Sequence, residues 1–306
     1  MTNKILVIGD VMLDEYWYGS SNRISPEAPV PIVNFDNKDL RLGGAANVAA
    51  NIGSLGGNVT LLSLIGYDEK TKIFQELVDL NHIKNIAIKL KNLKITTKLR
   101  IISSNQQVTR IDFDTETSSY SKLILNRLKK IYREFDFFVF SDYNKGSLSN
   151  IRLMIDFLIK NKKTNILVDP KKKDFMCYSN SLIITPNKKE FLNYINLTNF
   201  NDKAIELGFD CINKLKLKYL LVTLGENGML LLNHNKKTLI KANADEIFDV
   251  SGAGDTVIAS LAFCLANSIS IVNAVKFSNM TAGIVVGKQG TSIINKKDIK
   301  RMRSFL

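Results

Sequence analysis

Asp249-Val250-Ser251-Gly252-Ala253-Gly254-Asp255-Thr256 is the stretch from which the rest of the chain is read. It is followed by Val257-Ile258-Ala259-Ser260-Leu261-Ala262-Phe263, a run with the character of a buried helix. Two glycines flank one alanine where that helix would begin. A helix N-terminus carries unpaired N–H groups and a partial positive charge, so it holds anions. Glycine lets the backbone approach the anion with no side chain between. Asp255 runs against this trend, because a carboxylate repels a neighbouring anion. The role that resolves the conflict is a general base, taking the proton of a hydroxyl that attacks phosphorus. A plainer reading makes Ser251 and Asp255 helix caps. The Gly-x-Gly spacing alone does not separate the two.

The chain has 306 residues, 45% of them hydrophobic, enough for one large α/β domain or two small ones. No apolar run approaches the ~18 residues of a membrane span. The first ten residues, ending Ile5-Leu6-Val7-Ile8-Gly9-Asp10, are too short an apolar run for a signal peptide. Cys177, Cys211 and Cys264 are odd in number and widely spaced. That excludes a disulfide framework and fits a reduced cytoplasm. Two histidines, His82 and His234, leave little material for a histidine metal site or triad. The formal charge of +13 raises the question of nucleic acid, but the lysines are scattered among asparagine and isoleucine. A basic footprint would be clustered, so neither nucleic acid nor membrane is expected as a partner. The charge would still draw in phosphorylated substrates.

Lys4 to Ile8 reads as a buried strand stopped by Gly9, with Asp10 and Asp14 beyond its C-terminal end. In open α/β sheets that edge binds ligands. Asp14 is a candidate acceptor for sugar hydroxyls, or a turn residue. Tyr16 through Pro26, Pro29, Pro31 and Phe35 reads as extended chain. With strands over 86–91 and 96–113 it is grouped as a small β lid, segments 12–38 and 86–113. Between them, Gly43-Gly44 opens an alanine-rich helix carrying Asn47, whose buried amide needs partners. Strands then alternate with helices: strands at 59–65, 137–140, 166–168, 182–184 and 219–223, helices at 68–81, 121–133, 148–161 and 202–216. A short helix carries Lys188, Lys189 and Glu190, and a long one, 271–287, carries Asn279. Alternation of this kind predicts a mostly parallel sheet covered on both faces, in one unit spanning 1–306. Polar clusters recur past strand ends, at Ser141-Asp142-Tyr143, Asp169-Pro170-Lys171 and Thr185-Pro186-Asn187. Several in a row predict one long active-site edge.

Four separated motifs carry a family resemblance: Gly43-Gly44-Ala45-Ala46-Asn47-Val48-Ala49, Asn187-Lys188-Lys189-Glu190, Thr223-Leu224-Gly225-Glu226-Asn227-Gly228 and Asp249 to Asp255. In order and spacing they resemble the ribokinase-like (phosphofructokinase-B) carbohydrate kinases over essentially the whole chain. The resemblance implies a three-layer αβα fold with a mostly parallel central sheet and a small β lid. Within the family, further passages are similar to the D-glycero-β-D-manno-heptose 7-phosphate kinases. They are Gly9 to Asp14 with Tyr16-Trp17-Tyr18-Gly19, Arg23 to Pro31, Asn105-Gln106-Gln107, Arg110 to Phe113, Ser141 to Tyr143, Asp169 to Lys171 and Gly287 to Thr291. Such enzymes phosphorylate the C1 hydroxyl with ATP, giving the 1,7-bisphosphate on the way to ADP-heptose and lipopolysaccharide core. The bifunctional members add a nucleotidyltransferase with a His-x-Gly-His motif; this chain lacks that motif, so only the kinase half is expected.

By resemblance, Asp255 is the base, and the Gly252, Ala253 and Gly254 amides stabilise the transferring phosphoryl group. Asp14, Gly43, Gly44, Asn47 and Asp142 would hold the sugar. Lys98, Arg100 and Arg110 on the lid would meet the 7-phosphate, or are solvated strand charges. Asn187, Lys188, Lys189, Glu190, Thr223, Gly225, Gly228 and Asn279 would serve ATP, with Glu190 acting on Mg²⁺ through water. Asp249 would lie at the monovalent-cation site, K⁺ in some relatives, although Val250 and Ser251 stand where many relatives carry threonine. A homodimer through the lid follows from its uncovered sheet edges. Three readings remain open: a kinase of another sugar, a catalytically silent regulator on the same fold, and a dinucleotide oxidoreductase. The last lacks Gly-x-Gly-x-x-Gly after the first strand, where Gly9-Asp10-Val11-Met12 stands.

Overall fold

The computed structural model describes residues 3–104, 106–234, 236–242, 248–295 and 297–298. Asn105 of the Asn105-Gln106-Gln107 motif lies outside them. The chain opens with β1 (Lys4–Gly9), β2 (Val11–Ile24), β3 (Pro31–Gly44) and α1 (Ala45–Ser54). Next come β4 (Asn58–Leu62), β5 (Leu64–Ile65), α2 (Glu69–Leu80), β6 (Lys84–Asn85) and β7 (Ile88–Lys89). A hairpin, β8 (Thr96–Ser103) and β9 (Gln106–Phe113), precedes α3 (Ser121–Ile131), β10 (Phe137–Ser141) and α4 (Ile151–Lys160). Then follow β11 (Ile166–Asp169), β12 (Ile183–Ile184), α5 (Lys188–Tyr194), α6 (Asp202–Leu215) and β13 (Tyr219–Thr223). A second hairpin, β14 (Met229–Asn233) and β15 (Lys236–Ile240), leads to α7 (Ala253–Ala266) and α8 (Ile271–Val286).

Nine strands form the main sheet in the order β15-β14-β13-β12-β11-β10-β1-β4-β6. It is parallel from β13 to β6, with β14 and β15 antiparallel at one edge. The inner strands are apolar throughout because both faces are covered. Strand alternation sorts them cleanly. Ile5, Val7, Phe137, Val139 and Leu167 join one core with α1, α2, α7 and α8. Leu6, Ile8, Phe138, Phe140, Ile166 and Val168 join the other with α3, α4, α5 and α6. The result is the expected three-layer αβα arrangement. Parallel pairing brings the C-terminal ends of β1, β10, β11, β12 and β13 to one edge, and with them Asp10, Tyr143, Asp169, Asn187 and Thr223.

A separate four-stranded sheet, β3-β2-β8-β9, forms the lid. Its limits differ from the expectation. The first segment runs on to Gly44, so Gly43-Gly44 ends a strand before it starts a helix. Residues 96–113 fold as a hairpin rather than one strand. Residues 84–89 leave the lid altogether: after α2 the chain returns parallel to β4 and β5, with Thr60 opposite Lys84 and Leu64 opposite Ile88. That is a strand–helix–strand crossover, which returns to the sheet it left. The expected strand 59–65 is itself broken at Ser63. The β14–β15 hairpin has no counterpart among the expected elements.

The lid is fastened by a buried ion pair between its central strands. Arg100 Nη1 on β8 donates to Asp14 Oδ1 on β2 at 2.6 Å, with both side chains under a tenth exposed. By contrast, Arg110 pairs with Asp112 along one exposed strand. Removing one partner of a buried pair strands the other's charge. Arg100→Ala is therefore expected to lower stability in urea unfolding by about 3–5 kcal/mol. Arg110→Ala should change it by no more than about 1 kcal/mol.

Candidate active site

Gly252 precedes α7 in the left-handed region, at φ 77°, and the helix begins with no side-chain cap. Ser251 and Asp255 therefore do not cap it. A Cβ built on Gly254 meets nothing within 4 Å. The first turn thus faces open space in which an anion would sit against backbone N–H groups. Asp255 projects from that turn and is buried. Its Oδ2 accepts from Asn47 Nδ2 at 2.9 Å and its Oδ1 from the Tyr143 hydroxyl at 2.7 Å. Asn47 lies in the first turn of α1, positioned by Gly44. That glycine has φ 59°, and a Cβ on it would stand 2.4 Å from the Asp10 carbonyl oxygen. Asn51 braces Asn47 from one turn further on.

Burial lifts the Asp255 carboxyl from its ordinary range to about 6. The Asn47 and Tyr143 hydrogen bonds pull it back, Asp14 pushes it up, and Lys98 pulls it down. A carboxylate poised there is ionised at neutral pH yet basic enough to take a proton. Asp169 is pushed well above the usual carboxylate range by burial and by the nearby Asp255 and Glu190 charges. Lys98 is half-buried, held below its ordinary value by burial, with its Nζ 5.6 Å from the Tyr143 ring centroid.

Beside the α7 N-terminus lies an open cleft. Thr223, Gly225, Gly228, Ala253, Gly254 and Asn279 are among its walls. A Cβ on Gly225 also meets only open space. Small residues and backbone thus form much of its wall, with the anion loop at one end. Asn279 Nδ2 donates to the Lys241 carbonyl, which orients its amide at the wall. Next to this cleft, Asn187 and Glu190 form a capping box at the start of α5. The other Glu190 oxygen accepts from Lys171 Nζ at 2.6 Å. The ammonium shows that this carboxylate suits a cation. Among the described residues no group of three or more His, Cys, Asp or Glu is placed to hold a metal.

Several expected site residues have other work. Asp142 has partners other than Asp255: its oxygens accept from the Tyr178 hydroxyl and the Asn144 amide, with Lys172 3.8 Å away. It follows β10 directly, and side chains alternate along the chain there. The neighbour, Tyr143, is the one that reaches the base. Arg100 is paired with Asp14, and Arg110 with Asp112, while Lys98 is the lid cation whose charge is felt at Asp255. Asp14 itself accepts from Arg100 and from Thr291 Oγ1. Lys188 and Lys189 are exposed and do not line the cleft. Asp249 clamps two loops, its oxygens taking the Ser251 and Gly290 amides. Tyr143, Lys171 and Thr291 lie in passages that stand out in the sequence, but no residue pattern gave them a role.

A family model described as pfkB family carbohydrate kinase matches residues 2–298. The chain is 41% identical over 299 residues to the Bifunctional protein HldE of Haemophilus ducreyi, covering 97% of this chain. It spans 63% of that relative's length. Among solved structures it resembles a ribokinase from Giardia lamblia, with TM-score 0.81, 18% identity, and 98% and 99% of the two chains covered. Phosphofructokinase-2 from Escherichia coli in complex with potassium gives TM-score 0.82 at 18% identity, over 100% and 99%. With a matched model over nearly its full length and this site at the sheet edge, the chain belongs to the pfkB family of carbohydrate kinases.

Proposed function

We propose that this chain transfers the γ-phosphoryl group of MgATP to the C1 hydroxyl of D-glycero-β-D-manno-heptose 7-phosphate. The observation that carries the transfer is Asp255: a buried carboxylate with raised basicity on the first turn of an uncapped helix, between an open cleft and a lid. The sugar identity follows the sequence likeness to heptose 7-phosphate kinases. Asp255 takes the acceptor hydroxyl's proton, and the Gly252, Ala253 and Gly254 amides meet the charge on the transferred group. Asn47, Gly43 and Gly44 border the sugar, with Asp14 at its lid side. Lys98, without an ion pair among the described residues, meets the remote phosphate. Thr223, Gly225, Gly228 and Asn279 flank the nucleotide, with Asn187 at its edge. Mg²⁺ would rest on Glu190 through water and supply charge neutralisation at the phosphates, and K⁺ would lie beside Asp249. Trp17, Ile24, Phe35, Ile111 and Phe113 expose apolar surface on the lid. A second copy covering that face would give a homodimer. No helix among the described residues is long and apolar enough to cross a membrane.

ADP release with heptose 7-phosphate, beside fructose, fructose 6-phosphate and ribose, tests the reading. Turnover is expected to favour the heptose phosphate and to fall by about 10²–10⁴-fold in Asp255→Asn. Turnover on another sugar would keep the kinase and remove this substrate. Nucleotide binding with no turnover would point to a silent regulator.

The same carboxylate has a cost in stability. Its pKa is near 3.8 in the unfolded chain and about 6 in the fold. The folded state therefore favours the protonated form. That contribution is fully present below about pH 4 and is lost as pH rises through 6. At pH 8 the ionised group weakens the fold by roughly 3 kcal/mol. Asp255→Asn is expected to resist urea better than wild type at pH 8, with the difference vanishing below pH 4. A difference independent of pH would contradict the assignment.

A further inference from the structure

Tyr143 touches the base from a loop that has little freedom. The Asp10 carboxylate accepts the backbone amides of Tyr143 at 3.0 Å, Lys145 at 3.1 Å and Ser147 at 3.1 Å. Asp142 Oδ1 accepts the Asn144 amide at 2.8 Å. Asn144 and Gly146 both turn through positive φ, which lets the chain wrap around the Asp10 carboxylate. The loop is thus built around one buried carboxylate, and the tyrosine ring leaves it in a fixed direction. Its hydroxyl donates to Asp255 Oδ1 at 2.7 Å, while Asn47 occupies Oδ2.

We propose that Tyr143 is a positioning residue for phosphoryl transfer: its hydroxyl holds the Asp255 carboxylate ionised and turns its remaining lone pairs toward the acceptor hydroxyl. This rests on the kinase reading above. A donor to the charged form favours that form. Tyr143 cannot exchange roles with the base, because burial and the Asp255 charge hold its own proton firmly. The charged groups around Asp255 pull both ways. Asp14 on β2 and Asp169 at the end of β11 oppose ionisation, while Lys98 on β8 and Lys171 beyond β11 favour it. Burial raises the carboxyl most, and the two neutral donors in contact, Asn47 and Tyr143, oppose it most directly.

The test uses the full chain with aspartate carboxyl carbons labelled by carbon-13, in wild type and Tyr143→Phe. The Asp255 resonance is assigned by its loss in Asp255→Asn. Tyr143→Phe deletes one oxygen and keeps the ring beside Lys98. Its Asp255 titration midpoint is expected to rise by about 1 pH unit, as for a lost hydrogen bond to a charged group. The acid limb of kcat/KM for the sugar phosphate should move with it, about fivefold lower at pH 6 and closer to wild type at pH 8.5, with KM for MgATP unchanged. Coincident titrations in the two proteins would overturn the proposal. Replacing the nine tyrosines of wild type by 3-fluorotyrosine, a stronger donor, should lower the midpoint, and an unmoved midpoint would count against it equally. A protein whose midpoint shifts as expected but which transfers no phosphoryl group would lose the kinase reading and keep the link from Tyr143 to the carboxylate.

Discussion

A carboxylate that must stay ionised at the mouth of an anion-attracting helix is the constraint on which the rest of this structure depends. Burial alone would neutralise it. The chain answers with two neutral donors brought from distant places. Asn47 comes from the helix that follows the lid, and Tyr143 from the loop that follows β10. Each is itself braced, Asn47 by Asn51 and Tyr143 by the Asp10 clamp. Hydrogen bonds to a charge are worth most where they need no rearrangement to form. The parallel sheet supplies that rigidity, because it sets the ends of β1 and β10 side by side.

The lid is joined to the anion loop by a second polar chain. Arg100 holds Asp14, and Asp14 accepts from the Thr291 hydroxyl. The Thr291 amide donates to the Tyr16 hydroxyl, and Arg41 reaches the Gln289 and Thr291 carbonyls. Gly290 N–H then donates to Asp249, which also holds the Ser251 amide at the start of the loop. Strands of the lid therefore meet the segment before α7 through Gly290-Thr291. Partly satisfied buried networks are costly, so a movement of the lid should shift this whole set rather than one bond.

The main sheet was legible because its signal is long and local. Apolar runs ending in Gly9, Ser141 or Asp169 are what strands covered on both faces look like. The anion loop was legible for a similar reason: glycines at a helix start carry a backbone meaning independent of context. What sequence alone could not give were choices between neighbours in space. Lys98, Arg100 and Arg110 read alike as lid cations, and only β2–β8 pairing reveals that Arg100 lies opposite Tyr16 and reaches Asp14. Asp142 was the natural choice for a site carboxylate, yet side-chain alternation past the end of β10 gives that place to Tyr143. The β14–β15 hairpin was hidden because Met229-Leu230-Leu231-Leu232 is a short apolar run, which period alone does not assign.

Five aspartates stand near this edge beside Asp255, and their partners explain why only one suits a base. Asp10 takes three backbone amides. Asp249 takes two, and Asp14 faces a guanidinium at 2.6 Å. Asp142 has an amide, a tyrosine hydroxyl and a lysine. The oxygens of these four carboxylates are thus engaged by backbone amides, hydroxyls or cations, and burial in addition raises Asp142 above its ordinary value. Asp169 is at the other extreme. Its carboxylate takes a long 3.5 Å contact from Thr185, and neighbouring negative charge pushes it further toward the protonated form. Asp255 lies between these cases, with two neutral side-chain donors. They are strong enough to keep it ionised near neutral pH and weak enough to leave it basic. The selection of one carboxylate among six is thus a matter of which donors surround it, and those donors come from α1 and the β10 loop rather than from its own helix.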